Sequence, residues 1–418
     1  DFDIMDPQFA AVLSALMSKD NHARKSAEAY FTDLLKNNLT VTVDTLVNVF
    51  TTPENELVLR SFAGILLRRA IENHAESMST DQTRTFREKM LNMWTVESNH
   101  IMLQRLSHII AQSALKSSWD DLIPKIVQYA SSANVKALVA VLGLIEIISE
   151  YCPEDIQANL PILGPFLGQL IASQDTNVQV ACAKATGACI VSLDDANARN
   201  AFKPAIEPIV RVLSVALTNG DEVDATKIMS YLVTIAQEQP NFFKGTLDEV
   251  VRAMLTVANA QGLEFSTRSM ALELMVTITE TAPALARRCN GLVQGLIPLA
   301  MSLMLEIEEE EEEWAAGAYT EEPSDENCVV GDEAIERVAT GMGGKSISEP
   351  ILALVQQFSS PGMDYKHRRA AVAALCRLAE GSAKYFKKYM TQALNFLSAS
   401  LQDSSSKVKF EGIQVSSV

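Results

Sequence analysis

Apolar residues recur along this chain at the three-and-four spacing of helices, in blocks divided by short polar breaks. A residue suited to starting a helix marks each break: Asp20, Pro53, Ser98, Asn134, Asp175, Asp221, Ser266, Asp332, Asp364 and Asp403. Short side-chain oxygens at such positions accept from the free N–H groups of the next turn, and proline presets its φ. Successive breaks lie 33, 45, 36, 41, 46, 45, 66, 32 and 39 residues apart. One helical block ends before each break and a second follows it.

A pitch near 40 residues, with two helices per period, is the pattern of a HEAT-type solenoid. The predicted fold is all-α: a right-handed α-α superhelical solenoid of about nine pairs plus a partial tenth, continuous over 1–403. Predicted pairs are 6–18 with 21–37, 41–51 with 54–71, 81–96 with 99–115, 120–130 with 135–151, and 154–172 with 176–192. They continue as 196–217 with 222–237, 242–260 with 266–281, 284–307 with 332–341, and 346–358 with 365–380; 383–401 opens the tenth. Pro161 and Pro165 should kink or shorten the fifth pair's first helix, because each removes a backbone donor. Segment 54–71 is apolar around most of its circumference and should be covered on several sides. After Asp403 the residues SSSKVKFEGIQVSSV carry no apolar stripe. Segment 404–418 is therefore expected to be a disordered, non-repeat tail on a chain cut from a longer one.

Charge changes the picture at one place. The chain has 418 residues and a net charge of −17, yet the stretch from Glu306 to Glu336 holds 14 acidic residues and no basic one. The remainder is near neutral, 38 acidic against 35 basic residues. The long 66-residue interval is thus an acidic insert, 306–331, in the eighth pair. This balance excludes direct nucleic-acid binding, which needs a basic face, and favours a basic protein partner. Six cysteines form no CxxC and share no ligand spacing with the five histidines, so neither a metal site nor a disulfide framework is expected and a reducing compartment fits. The start, DFDIMDPQFAAVLSALMSKD, lacks the basic region of a secretory signal. No stretch approaches 18 uncharged apolar residues, so no membrane insertion is expected.

Three features invite a chemical reading. Residues 339–346, ATGMGGKS, come close to the phosphate loop GxxxxGK[ST], with Ala339 at the first glycine. The preceding EAIERVATGM is an amphipathic helix and not a buried strand, so the expected structure is a helix–helix turn in which Gly341, Gly343 and Gly344 take positive φ. Arg60, Gly64, Arg68 and Glu72 share one helix face, as do Gln104, His108 and Gln112; either set is a polar solvent face or a binding surface. Glu308, Glu309, Glu310, Glu311, Glu312 and Glu313, followed by Trp314, form either a solvated charge block or an electrostatic clamp. The tryptophan favours the clamp, as an aromatic anchor. No nucleophile–base pairing stands out. The chain reads as a binding protein without cofactor, metal or enzymatic activity.

Four strings carry a family resemblance: RSFAGILLRRAI at 60–71, RSMALELMVTITETAPALARR at 268–288, IEEEEEEWAA at 307–316 and DEAIERVATGMGGK at 332–345. Together they resemble the karyopherin-β nuclear transport receptors, over about 6–403 and more weakly between 75 and 260. The resemblance implies an N-terminal importin region over about 1–115. It also implies Ran-GTP binding on the second helices, basic cargo held at the acidic insert and later repeats, and phenylalanine–glycine nucleoporins in grooves between first helices. Such a receptor shuttles between cytoplasm and nucleus, and a monomer is expected. Carried over by position, Arg60, Arg68, Gln104, Arg105 and His108 would contact Ran, and Glu308–Glu313 with Trp314 would contact Ran or cargo. One departure is that only Arg105 is basic where helix 99–115 would be expected to carry more positive charge. Family chains are also more than twice this length. The alternative is a HEAT scaffold or adaptor with no transport role.

Overall fold

The computed structural model describes residues 7–131, 134–307 and 327–416, and the chain forms two compact units, 1–199 and 200–418. The first unit contains α1 (Pro7–Leu16), α2 (Asn21–Asn37), α3 (Leu39–Thr51), α4 (Leu57–His74), α5 (Thr80–Val96) and α6 (His100–Lys116). It continues with α7 (Leu122–Ala130), α8 (Val135–Tyr151), α9 (Pro153–Ala158), α10 (Leu160–Leu170) and α11 (Thr176–Ser192). The short α12 (Ala196–Asn200) leads to α13 (Ile206–Thr218), α14 (Glu222–Glu238), α15 (Leu247–Ala258), α16 (Phe265–Thr281), α17 (Pro283–Ala286) and α18 (Leu292–Leu303). The second unit ends with α19 (Asn327–Met342), α20 (Gly344–Phe358), α21 (Tyr365–Gly381), α22 (Ala383–Phe386), α23 (Met390–Ser400) and α24 (Ser406–Ser416). No strand occurs among the described residues.

The architecture is the HEAT-repeat solenoid expected from the pitch. Each first helix packs on its own second helix, and second helices pack on one another in a layer: α4, α6, α8 and α11 in the first unit, and α14, α16, α19, α21 and α24 in the second. Most second helices start at or within a few residues of the polar breaks, with Asn99 capping in place of Ser98 and Ser266 already inside α16. Asp20, Asn99, Asn134, Asp175, Asp221 and Asp364 each accept a hydrogen bond from a backbone N–H in the following turn. The layer is apolar on its packed sides: Leu67, Leu106, Leu144, Leu232 and Leu274 are essentially solvent-free.

Three local expectations require correction. Asp332 does not open a helix. It lies inside α19, which begins five residues earlier, and its carboxylate pairs with Arg377. Several first helices expected to be continuous are split: α9 from α10 at Asn159, α12 from α13, and α17 from α18, with further breaks before α15 and α23. Proline opens α9 and α17, sits in the first turn of α10 and opens the 3₁₀ turn Pro240–Phe243, where a missing N–H costs nothing. Finally, the described residues 404–416 do not form a structureless tail. Ser406–Ser416 form α24, whose Val408 is 1% exposed, while Glu411 pairs with Arg369 on α21 at 3.2 Å. Val408, Glu411 and Gly412 face inward at three-to-four spacing, and the glycine lets the helix close onto Ser400.

Candidate protein-binding face of the second helices

In the first unit the predicted stripe divides. Arg60 is 7% exposed; its Nε donates to the Phe50 carbonyl at 3.0 Å and its guanidinium to Glu97 Oε2 at 2.7 Å. Gly64 lies under the Phe50 ring, where a Cβ would come within 2.6 Å of the ring edge. Gln112 is 3% exposed. Arg60 therefore ties α4 to the ends of α3 and α5 and presents no open guanidinium to a partner. Its expected place on a contact face is corrected: a first-turn arginine faces the neighbouring first helices.

Arg68, Gln104, Arg105 and His108 do come to one open face. Gln104 is exposed and the other three are half-buried. The Arg68 guanidinium lies 5.8 Å from the centre of the Tyr151 ring, and the Tyr151 hydroxyl is 3.4 Å from His108 Nδ1. Three successive second helices, α4, α6 and α8, thus meet at Tyr151. Arg105 Nε reaches Ser61 Oγ on α4 at 3.4 Å. Burial, and then the Arg68 charge, push the His108 imidazole below its ordinary pKa despite Glu150 nearby.

The second unit carries the opposite sign. Arg337 on α19 forks onto two α16 carboxylates, reaching Glu273 at 2.6 and 2.9 Å and Glu280 at 2.7 and 2.9 Å. Arg377 on α21 meets Asp332 at 2.6 Å, Glu380 at 3.0 Å and Glu336 at 3.5 Å. Carboxylates outnumber guanidiniums here, and Glu336 keeps 47% of its side chain in solvent. Glu308–Glu313 and Trp314 lie outside the described residues. The residues flanking that stretch are tied down: Glu306 accepts from Arg268 at 3.1 Å and from Asn327 Nδ2 at 2.6 Å, and Lys366 Nζ donates to the Ile307 carbonyl at 2.9 Å.

The phosphate-loop lookalike is the turn from α19 to α20, with helix on both sides. Only Gly343 takes positive φ there, at 73°. Gly341 and Gly344 serve packing instead: a Cβ would fall 2.7 Å from the Thr279 carbonyl or 2.5 Å from Tyr385 Cβ. All six cysteines are buried, and burial pushes the thiols of Cys152, Cys182, Cys189, Cys289 and Cys376 up to about 12, which leaves them unreactive. Two grooves border first helices of the first unit. One, about 220 Å³, lies against α3 and α5 with Val43, Met78 and Phe86 among its walls; the other, about 720 Å³, is bounded by α5, the end of α6 and Trp119.

Sequence reasoning missed Tyr151, Arg337 and Arg377. Glu273 and Glu280, seven apart on one helix face, and Arg377, three before Glu380, carried the only available signal.

Comparison with known proteins gives consistent matches. A family model described as "IPO5-like, TPR repeats" matches residues 100–253, and one described as "Importin repeat" matches 260–349. Importin subunit beta-3 of Saccharomyces cerevisiae is 24% identical over 197 residues, 46% of this chain and 18% of that protein. A probable importin-5 homolog of Dictyostelium discoideum is 22% identical over 390 residues, 90% of this chain and 36% of the relative. The crystal structure of Kap121p superposes with a TM-score of 0.83 at 20% identity, covering 98% of this chain and 40% of Kap121p. A structure of Kap121p bound to RanGTP gives the same score, with 98% and 39% covered. The chain spans well under half the length of these relatives.

Proposed function

Because this chain belongs to the karyopherin-β family, related to importin-5, we propose that it acts in a nuclear import receptor. In this reading it binds basic nuclear-localisation segments of cargo and gives them up when Ran-GTP binds. It passes the pore on phenylalanine–glycine nucleoporins and shuttles between cytoplasm and nucleus. The observation that carries the reading is the match of nearly the whole chain to the fold of Kap121p, which has been solved bound to RanGTP, to Pho4p and to Nup53p.

The surfaces support a division of labour. Ran in its GTP form would dock on the open face carrying Arg68, Gln104, Arg105 and His108. Lysine-rich cargo would meet the carboxylates around α16, α19 and α21, aided by the glutamate run ending at Trp314. Nucleoporin phenylalanines would enter the grooves beside α3, α5 and Trp119, where Val43, Met78, Phe86 and Trp119 stand among polar and charged walls. Attraction between a basic segment and so many carboxylates raises the association rate and weakens with salt.

The test is binding of the 418-residue chain to Ran loaded with GTP or GDP, at two salt concentrations. Preference for the GTP form supports the receptor. Equal or absent binding in both nucleotide states favours a HEAT scaffold without a transport role.

A further inference from the structure

The turns that lead from one helix pair to the next differ in charge between the two units. In the first unit, residues 75–79, 117–121, 152–155 and 193–195 carry acidic side chains and no basic one. In the second unit, residues 282–291, 343–346 and 382–389 carry Arg287, Arg288, Lys345, Lys384, Lys387 and Lys388 and no acidic one. All six are exposed, and among the described residues none forms an ion pair with a carboxylate. The three turns lie against one another. Arg287 donates to the Met342 carbonyl at 2.6 and 3.2 Å, Ser382 Oγ donates to the Ala339 carbonyl at 3.3 Å, and a Cβ on Gly344 would fall 2.5 Å from Tyr385 Cβ. They form one basic row at the ends of the second helices.

Nearby acids do not balance this row. Glu280 is held by Arg337 and Glu380 by Arg377. Asp248 and Glu249 in the first turn of α15, and Glu349 close to Tyr389, remain against six cations. Placement adds to the cost. Lys345 stands in the first turn of α20, and Lys387 and Lys388 in the 3₁₀ turn that runs into α23. Helix dipoles favour anions there and disfavour cations, yet neither helix has an acidic residue in its first turn. A local rule broken without compensation inside the fold marks a functional surface.

We infer that this row binds an extended, multiply phosphorylated protein segment. Neighbouring helices lie about 8–10 Å apart, so three turns cover roughly 20 Å, more than one compact phosphate ester spans. An extended chain presents every second side chain to one face, about 7 Å apart, and can lay a phosphate on each turn. Exposed ammonium–carboxylate pairs contribute little, whereas a phosphoserine brings roughly two charges and several strong acceptor oxygens. Lysine, which supplies four of the six cations, meets phosphate as a point charge. Nucleic acid fits less well, because its bases need open aromatic faces and the Tyr385 ring is taken. Lys388 Nζ stands 4.3 Å from the centre of that ring, and the Tyr389 ring lies 6.2 Å away. The inference does not rest on the receptor reading, since it uses none of the cations assigned there.

The experiment uses the whole 418-residue chain and a short fluorescein-labelled peptide alternating phosphoserine with glycine, followed by anisotropy. The phosphopeptide should bind, and binding should weaken as salt rises. Lys384→Gln with Lys387→Gln and Lys388→Gln should weaken it by about tenfold, and Lys345→Gln on the neighbouring turn should add to the loss. Arg211→Gln, which alters an exposed arginine already paired with Glu207, should change nothing. The same peptide without phosphate should not bind. Circular dichroism confirms that each variant is folded. If the phosphopeptide fails to bind, or binds the triple variant as tightly as the parent, the inference falls. It falls equally if a glutamate–glycine peptide or a deoxythymidine oligonucleotide binds as tightly as the phosphopeptide.

Discussion

Arg60 and Glu97, 37 residues apart in sequence, meet at 2.7 Å with less than a tenth of either side chain in water. The same arginine also holds the Phe50 carbonyl ten residues behind it. Arg268 repeats the arrangement, with the Ala258 carbonyl ten behind and Glu306 38 ahead, and Arg368 reaches Asp403 35 ahead. A first-turn arginine on the second helix thus fastens the end of one first helix to the end of the next. Replacing Arg60 by Met should cost about 3 kcal/mol, because Glu97 would stay buried without its partner. Arg60→Met with Glu97→Leu should recover most of it, as read from urea midpoints of the two variants.

These pairs set an acid limit. Burial alone would raise the Glu97 carboxyl, but the Asn99 N–H, Arg60 and the Ser98 N–H outweigh it and hold its pKa below the ordinary value. Arg368 does the same for Asp403. Their stabilisation is fully present above the unfolded-state pKa near 4 and disappears as pH falls through the depressed folded values. Glu411 acts in the other direction. Burial raises its pKa, so its contribution is greatest when protonated and is lost as pH rises through the folded value. Melting temperatures between pH 6 and pH 3 should fall, and Glu97→Gln should flatten the slope.

The glycines of the α19–α20 turn should rank by packing. Gly341→Val would drive a side chain into the Thr279 backbone and should cost about 3 kcal/mol. Gly343→Ala meets no atom within 4 Å, but φ 73° with ψ 153° is a conformation nearly closed to side chains and should cost about 2 kcal/mol. Thermal melts of the two variants check the order. Exposed Lys345 should be replaceable by Ala without loss of stability, and calorimetric titration with ATP should give no binding heat.

Removing 404–418 should loosen the end of the second unit. It strips Val408 from its buried seat and leaves Arg369 without Glu411. Hydrogen exchange should rise in α21 and α23 and stay unchanged in the first unit.

Much of this fold was legible because its signals are local. Asp20, Asn134, Asp175, Asp221 and Asp364 announced second helices through their own side chains, and each caps as its type suggests. Asp332 shows the limit. An aspartate that caps and an aspartate that waits for Arg377 look alike in one dimension, because the partner lies 45 residues away. α24 escaped notice for a related reason: Val408 and Gly412 acquire meaning only from the seat that α21 and Ser400 provide. The face at Tyr151 was half legible. Arg68, Arg105 and His108 were visible as polar positions at helical spacing, whereas burial separated Arg60 from them, and no spacing rule names a tyrosine one helix further on.

Most second helices from α2 to α21 have the same length, 17 residues, whereas first helices vary and are interrupted. Equal rods about 26 Å long, lying side by side, make each unit's layer a lattice in which every open side chain has a rung and a turn as coordinates. Changing one rung edits a single cell of that lattice and leaves its neighbours in register. Insertions and proline breaks accumulate in the first helices and loops, where they displace no address. A surface built this way can acquire a new ligand one cell at a time.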